Sequence, residues 1–169
     1  MIALIEDIIK LSHLDEGAED MQREDVDLLA VARRQADNLS QAAESAQVSL
    51  SVSGESAVVN GIPQLLDAIV HNLCENAIKY NRPGGFVKVN VRREGGSALL
   101  TVEDNGIGIP PEQQERIFER FYRVDKSHSK EVGGTGLGLS IVKHAAALHN
   151  AKISVASAPG KGTVITVAF

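Results

Sequence analysis

Tryptophan is absent from this 169-residue chain, cysteine occurs once, and aromatic residues amount to only 4%. The core must therefore be assembled mainly from aliphatic side chains. The lone Cys74 excludes an internal disulfide and fits a reducing compartment. No apolar run is long enough to span a bilayer, and no signal peptide is recognisable. An excess of positive charge is missing as well: the formal net charge of −5 argues against nucleic acid as the main partner. What remains, with 43% hydrophobic residues, suffices for one sizeable core and a small appendage.

Glycine, by contrast, is concentrated. Asp104-Asn105-Gly106-Ile107-Gly108-Ile109 forms one cluster and Gly133-Gly134-Thr135-Gly136-Leu137-Gly138-Leu139 a second. Closely spaced glycines let main-chain N–H groups approach a ligand that side chains would block. A carboxylate beside the first cluster can accept hydrogen bonds from an amine-bearing ring but would repel a phosphate. The pair suggests a nucleotide held at both ends, its base at Asp104 and its phosphates at the second cluster. Neither familiar phosphate fingerprint applies. Gly134-x-Gly136-x-Gly138 lacks the last glycine of the dinucleotide pattern and follows a loop rather than a strand. Gly160-Lys161-Gly162 has glycine where a P-loop needs serine or threonine. The second cluster opens instead into a helix, whose N-terminal N–H groups and dipole favour an anion.

Met1, Leu4, Ile5, Ile8 and Leu11 predict a short amphipathic helix over residues 1–14, with Gly17 where it would stop. Opening on a half-pattern, it reads as the tail of a longer helix, and the polar, acidic residues 18–26 read as a linker. Asp27 is placed to cap a helix reaching about residue 46, with Leu29, Ala32, Ala36 and Leu39 on one face. Strands are expected over 48–52, 86–93, 98–103, 152–156 and 163–169, the second and third joined as a hairpin through Glu94-Gly95-Gly96. A long helix over 63–81 carries Leu66, Ile69, Val70, Leu73 and Ala77 in an apolar stripe. A short helix runs from Pro110-Pro111 through Phe118, and another long one spans 136–149. This order predicts an α/β two-layer sandwich, one mixed sheet with helices on one face.

On the 63–81 helix, Asn72, Asn76 and Lys79 are spaced four and three apart and share a face beside the apolar stripe. An amide oxygen there can ligate a hard cation such as magnesium, and a lysine can meet phosphate. Taken alone, the same spacing also describes a solvated polar face. Between the glycine clusters, residues 116–130 carry Arg116, Arg120, Arg123, Lys126 and Lys130 against Glu119 and Asp125, a local excess of +3. With Phe118, Phe121 and Tyr122 interleaved as anchors, this segment reads as a phosphate-facing lid.

Asn72-Leu73-Cys74-Glu75-Asn76-Ala77-Ile78-Lys79-Tyr80 resembles the N box of sensor histidine kinases, and Asp104-Asn105-Gly106-Ile107-Gly108 their first glycine box. Ile117-Phe118-Glu119-Arg120-Phe121-Tyr122-Arg123-Val124-Asp125 resembles the F box, Gly134-Thr135-Gly136-Leu137-Gly138-Leu139 the second glycine box, and Gly160-Lys161-Gly162-Thr163 the terminal Gly-x-Gly-Thr. In this order, over residues 61–169, they resemble the catalytic domain of sensor histidine kinases of the phosphate- or cell-wall-sensing type. The resemblance implies a Bergerat-type ATP-binding fold, shared with gyrase and MutL-type ATPases, and ATP and magnesium as cofactors. It implies that Asp104 accepts the adenine amino group, directly and through a water that Thr163 helps to hold. Tyr80 would pack near the base or ribose, and Gly106, Gly108 and Ile109 would belong to the nucleotide site. Asn76 would ligate magnesium, with Asn72 close to the metal and phosphates. Lys79, Tyr122 and Arg123 would contact phosphates, cradled by N–H groups of Gly134, Thr135, Gly136, Leu137, Gly138 and Leu139. Arg123 and Lys79 are the implied catalytic residues, Arg123 steadying charge on the transferring γ-phosphoryl.

Asn72 separates two relatives. The ATPases of this superfamily usually carry a glutamate there to activate water, whereas an amide cannot act as a base near neutral pH. The implied reaction is thus transfer to a histidine on the dimerisation domain, for relay to a response regulator aspartate. None of His13, His71, His128, His144 and His149 sits in the acceptor pattern His-Glu/Asp-x-x-x-Pro. His13-Leu14-Asp15-Glu16-Gly17 resembles instead the end of the dimerisation region. The expected organisation is a dimerisation-helix remnant at 1–17, a linker at 18–26 and the catalytic ATP-binding domain at 27–169. Implied partners are the missing acceptor region, a response regulator receiver domain and a second copy in a full-length homodimer. The domain would lie in the cytoplasm beneath a membrane-attached sensor, and this chain alone would bind ATP and transfer little. The alternatives are a nucleotide-binding module, or an ATPase or serine kinase of the same superfamily.

Overall fold

The computed structural model describes residues 21–124 and 134–169, together with Ile5, Ile9 and Ser12. Those three are helical, as the periodicity of 1–14 predicts; the rest of that segment, Gly17 and residues 18–20 of the expected linker lie outside the described residues. So do Asp125, Lys126, His128, Lys130 and Gly133 of the expected lid and second glycine cluster.

The next element is one the sequence did not announce. Residues read as the end of a linker form strand β1 (Glu24–Asp27), antiparallel to β3 (Val58–Gly61), with Val26 opposite Val59. Asp27 joins this small sheet to helix α1 (Leu28–Asn38): its Oδ1 accepts from Leu29 N at 3.1 Å as the helix cap and from Ala57 N at 3.0 Å. The expected helix to residue 46 breaks at Leu39, which has φ −97° and ψ 2°, and resumes as α2 (Ser40–Ser45). Ser40 Oγ donates to Asp37 O at 2.8 Å, a local bond that competes with continued α geometry.

A larger, five-stranded sheet runs in the order β2-β4-β5-β7-β6. Its members are β2 (Ser49–Gly54), β4 (Phe86–Glu94), β5 (Ser97–Asp104), β6 (Lys152–Ala158) and β7 (Gly162–Ala168). Strand β2 is parallel to β4 and every other pair is antiparallel, so the sheet is mixed as expected. Its inner face is aliphatic: Val87, Val89, Val91, Leu100, Val102, Ile165 and Val167 are all buried. The outer face carries Ser51, Lys88, Asn90, Thr101, Thr166 and Ser154, the period-2 alternation of a sheet with one wet side.

Helices α1, α3 (Pro63–Lys79) and α4 (Gly138–Leu148) cover the inner face with Leu28, Leu66, Ile69, Leu73, Ile141 and Ala145. Fully burying one such leucine or isoleucine stabilises the fold by about 1.5–3 kcal/mol. Cys74 is in this layer, where burial pushes its thiol up to about 12, so it is a packing residue. The link from β5 to α4 contains two 3₁₀ turns, Pro111–Gln113 and Arg116–Phe118, in place of the short helix expected there. Among the described residues, no helix is long and apolar enough to cross a membrane.

Two contacts lock the helices over the sheet. His149 Nδ1 meets Ala145 O at 2.6 Å, which requires the ring proton there, so Nε2 is left to accept from Ile62 N at 2.9 Å. The end of α4 thus holds the start of α3, and burial keeps the ring below the usual histidine range, with Arg23 acting in the same direction. Buried Gln35 of α1 donates to Asp67 at 3.1 Å and faces His71 at 3.2 Å, pinning α1 to α3.

Candidate functional site

Helix α3 is built to present two faces. Pro63 occupies its first turn, where a missing N–H costs nothing, and the stripe from Leu66 to Ala77 turns inward. The neighbouring stripe, with Asn72, Asn76 and Tyr80, borders a cavity between α3, the inner ends of β5 and β7, and the start of α4. Leu73, Ala77, Val102, Ile117 and Ile165 make its walls apolar.

One end of the cavity offers hydrogen-bond acceptors. Asp104 closes β5, and its Oδ1 accepts from Gly106 N at 2.8 Å. Burial raises this carboxyl above the usual aspartate range; the backbone N–H groups of Gly106 and Thr163 oppose that shift, and Glu103 adds to it. Thr163 stands opposite Asp104 on β7 and is 8% exposed. Gly108, at φ 71°, lies so close to the β6–β7 hairpin that a β-carbon would come within 1.9 Å of Ala158 O. This glycine makes room for neighbouring backbone, not only for a ligand.

At the other end Arg123 borders the cavity, whereas Lys79 and Gly134 lie beside it and are not part of its lining. Lys79 Nζ packs against Gly134, and the Arg123 guanidinium approaches the same point. Burial lowers the Lys79 ammonium below the usual lysine range; Glu75 opposes this and the like charge of Arg123 reinforces it. Helix α4 begins beside them with an N-cap residue, Leu137, whose side chain makes no capping hydrogen bond, and Gly138 and Leu139 border the cavity. Asn72 Nδ2 donates to Ala68 O at 2.8 Å, which turns its Oδ1 toward Gly138.

The structure brings most of the expected residues together: Asn72, Asn76, Tyr80, Asp104, Gly108, Ile109, Tyr122, Arg123, Thr135, Gly136, Gly138, Leu139 and Thr163 all border the one cavity. Gly106 stands behind it and serves Asp104. Leu137 differs: its side chain is fully buried in the core and its N–H donates to Thr135 Oγ1 at 3.3 Å. The helix starts at Gly138 rather than 136 because Gly136 is left-handed, φ 72°, with its carbonyl accepting from Phe121 N at 3.0 Å. Phe121 is 61% exposed and does not anchor the segment; Ile117, 6% exposed, does. Tyr122 packs under Arg116, 4.3 Å from ring centroid to guanidinium. Glu75, the carboxylate nearest Asn72 on the helix, also borders the cavity, and Gln114 and Ser157 were passed over in the sequence. Of these, Ser157 continued the inward i, i+2 run of Ile153 and Val155, a legible signal.

Among the described residues there is no group of three His, Cys, Asp or Glu side chains suited to a metal. The amide oxygens of Asn72 and Asn76 suit a hard cation that brings its remaining ligands with it, as magnesium does with phosphates.

Acceptors at one end, Arg123 and the start of α4 at the other with Lys79 beside them, and apolar walls between suit a nucleoside triphosphate on a two-layer α/β sandwich. Comparison with known proteins agrees. Residues 61–169 match the family model for histidine kinase-, DNA gyrase B- and HSP90-like ATPases. The sensor-like histidine kinase SenX3 of Mycolicibacterium smegmatis is 42% identical over 173 residues, covering 98% of this chain and 44% of that protein. The sensor protein kinase WalK of Staphylococcus saprophyticus is 34% identical over 169 residues, covering 99% of this chain and 28% of that protein. The solved structure of the mycobacterial sensor histidine kinase MprB is similar with a TM-score of 0.77 at 31% identity, covering 87% of this chain and 96% of that one. The chain belongs to this family: it is the catalytic ATP-binding domain of a sensor histidine kinase. It spans less than half the length of the SenX3 and WalK relatives.

Proposed function

We propose that this domain holds ATP with magnesium and delivers the γ-phosphoryl group to a histidine on the dimerisation region of a sensor kinase, for relay to a response regulator aspartate. Asn72 carries the choice of transfer over hydrolysis. Its amide nitrogen is tied to Ala68, and the oxygen it turns toward α4 cannot take a proton from water near neutral pH. The nearest carboxylate on the helix, Glu75, interacts with Lys79.

Asp104 and Thr163 accept from the adenine amino group, directly and through water, with Tyr80 beside the base or ribose. Lys79 and Arg123 meet the terminal phosphates, and the N–H groups at Gly138 and Leu139 cradle them. Asn76, with Asn72 adjacent, would hold magnesium, which supplies charge neutralisation on the phosphates when bound. Arg123 steadies negative charge as the γ-phosphorus breaks its bond to the bridging oxygen of ADP and forms one to the imidazole nitrogen, whose proton leaves. The acceptor helix, the receiver domain and a second copy of the full-length protein are the partners this reading requires, on the cytoplasmic side of a membrane-attached sensor. Titration calorimetry with ATP and magnesium, paired with a phosphate-release assay, tests it. Binding without sustained turnover is expected; fast steady phosphate release by this chain would identify a hydrolase instead.

A further inference from the structure

Asp104, Thr163 and Ser157 stand side by side in one row across the sheet: Asp104 on β5 pairs with Thr163 on β7, which pairs with Ser157 on β6. The next row on the same face is apolar, Val102 with Ile165 and Val155. Asp104 and Thr163 border the cavity, whereas Ser157 lies behind them. Its hydroxyl has three neighbours. Oγ accepts from Ile109 N at 2.8 Å, donates to Gly162 O at 2.8 Å and lies 2.8 Å from Thr163 Oγ1.

A serine hydroxyl owns one proton, and a carbonyl oxygen can only accept. The Ser157 proton therefore goes to Gly162 O, and the proton between the two hydroxyls belongs to Thr163. With its O–H turned toward Ser157, Thr163 shows only lone pairs to the cavity, beside the carboxylate of Asp104. Gln114 secures the arrangement: its Nε2 donates to Ser157 O at 2.9 Å and to Ile109 O at 3.0 Å.

We propose that Ser157 is a positioning residue for base selection, which keeps this end of the cavity acceptor-only by taking the Thr163 proton. A ring with an amine there is bound, and a ring with a carbonyl oxygen in that place is rejected. The inference rests on the nucleotide reading of the site and assigns the cause of its selectivity to a side chain that never touches the base.

Calorimetric titration with ATP and with inosine triphosphate, which carries a carbonyl where ATP carries its amine, tests this. In Ser157→Ala the Thr163 hydroxyl is released to donate to that carbonyl, so the ratio of the two dissociation constants narrows about tenfold, the worth of one hydrogen bond. Ser157→Thr, which keeps a hydroxyl, restores the original ratio. A purely structural role would weaken both nucleotides alike and leave the ratio unmoved, which overturns the proposal. Should Ser157→Ala not fold, Thr163→Val narrows the ratio by removing one of the two acceptors, and an unchanged ratio there overturns it equally. If the unaltered chain binds neither nucleotide, the nucleotide reading itself falls; if it binds ATP and only the ratio fails to respond, this proposal alone does.

Discussion

Replacing Asp104 by asparagine should damage binding and spare the fold. In the proposed site the carboxylate is the acceptor that faces the base, and a charge-assisted hydrogen bond is worth about 1.5–3 kcal/mol, or roughly 10- to 150-fold in dissociation constant. In Asp104→Asn, the amide oxygen can still accept from Gly106 N, now 2.8 Å from Oδ1, which turns the NH₂ toward the adenine amine, donor against donor. Stability moves the other way. Because burial raises this carboxyl, the folded chain holds the proton more tightly than the unfolded chain does. The ionised form therefore costs stability, progressively as pH rises from the ordinary aspartate value through the raised one. Removing the charge leaves the Tm at neutral pH unchanged or higher. Calorimetric titration with ATP and thermal melts on the same samples check both halves. ATP affinity within twofold of the original, or a Tm lowered by more than about 5 °C, would refute the reasoning.

Lys79→Ala should weaken ATP about tenfold or more while leaving adenosine binding unaltered, since in the proposed site the ammonium serves only the phosphate end; equal losses for both ligands would contradict that placement. ATP affinity should also decline with rising pH as Lys79 deprotonates below the usual lysine range, a trend that titrations across alkaline pH detect and that Lys79→Ala removes. His149→Ala orphans Ile62 N and should cost about 1–3 kcal/mol in urea melts. With its folded-state value depressed, His149 supports stability above the ordinary histidine value and that support is lost as pH falls through the depressed one, so the variant should show a flatter acid side. Asp27→Ala removes a helix cap and the bond to Ala57 N, an expected loss of about 1–3 kcal/mol by the same measurement.

What could be read from the sequence follows physical range. Helix α3 was legible because Pro63 and a regular apolar stripe are local signals, and the β4–β5 hairpin because Gly95-Gly96 interrupts two alternating runs. Strands β1 and β3 were not. Glu24-Asp25-Val26-Asp27 has one apolar residue, and it is a strand only because distant residues 58–61 supply its hydrogen bonds. The 3₁₀ turns near Pro111 and the break at Leu39 depend on single backbone torsions that composition does not encode.

The same division holds at the site. The carboxylate at Asp104 and the amides of α3 were visible as motif chemistry. The convergence of Lys79, Arg123 and Gly134 was expected only through the family resemblance, because these residues lie far apart in the chain and no local pattern joins them. Ser157 was missed for a related reason: its importance lies in its cross-strand register with Thr163. Phe121, read as an anchor from its type, turned out exposed, with Ile117 beneath the segment instead.

The measurement that bears most directly on the account is phosphoryl transfer to a separately supplied acceptor. The chain, ATP labelled on its γ-phosphate, magnesium and a dimerisation-region protein carrying the acceptor histidine are incubated together, and the label is followed through acid and base treatment. The account predicts acid-labile, base-stable label on the acceptor, abolished by Arg123→Ala. ATP binding with no label on the acceptor, or steady release of free phosphate in its place, would contradict it.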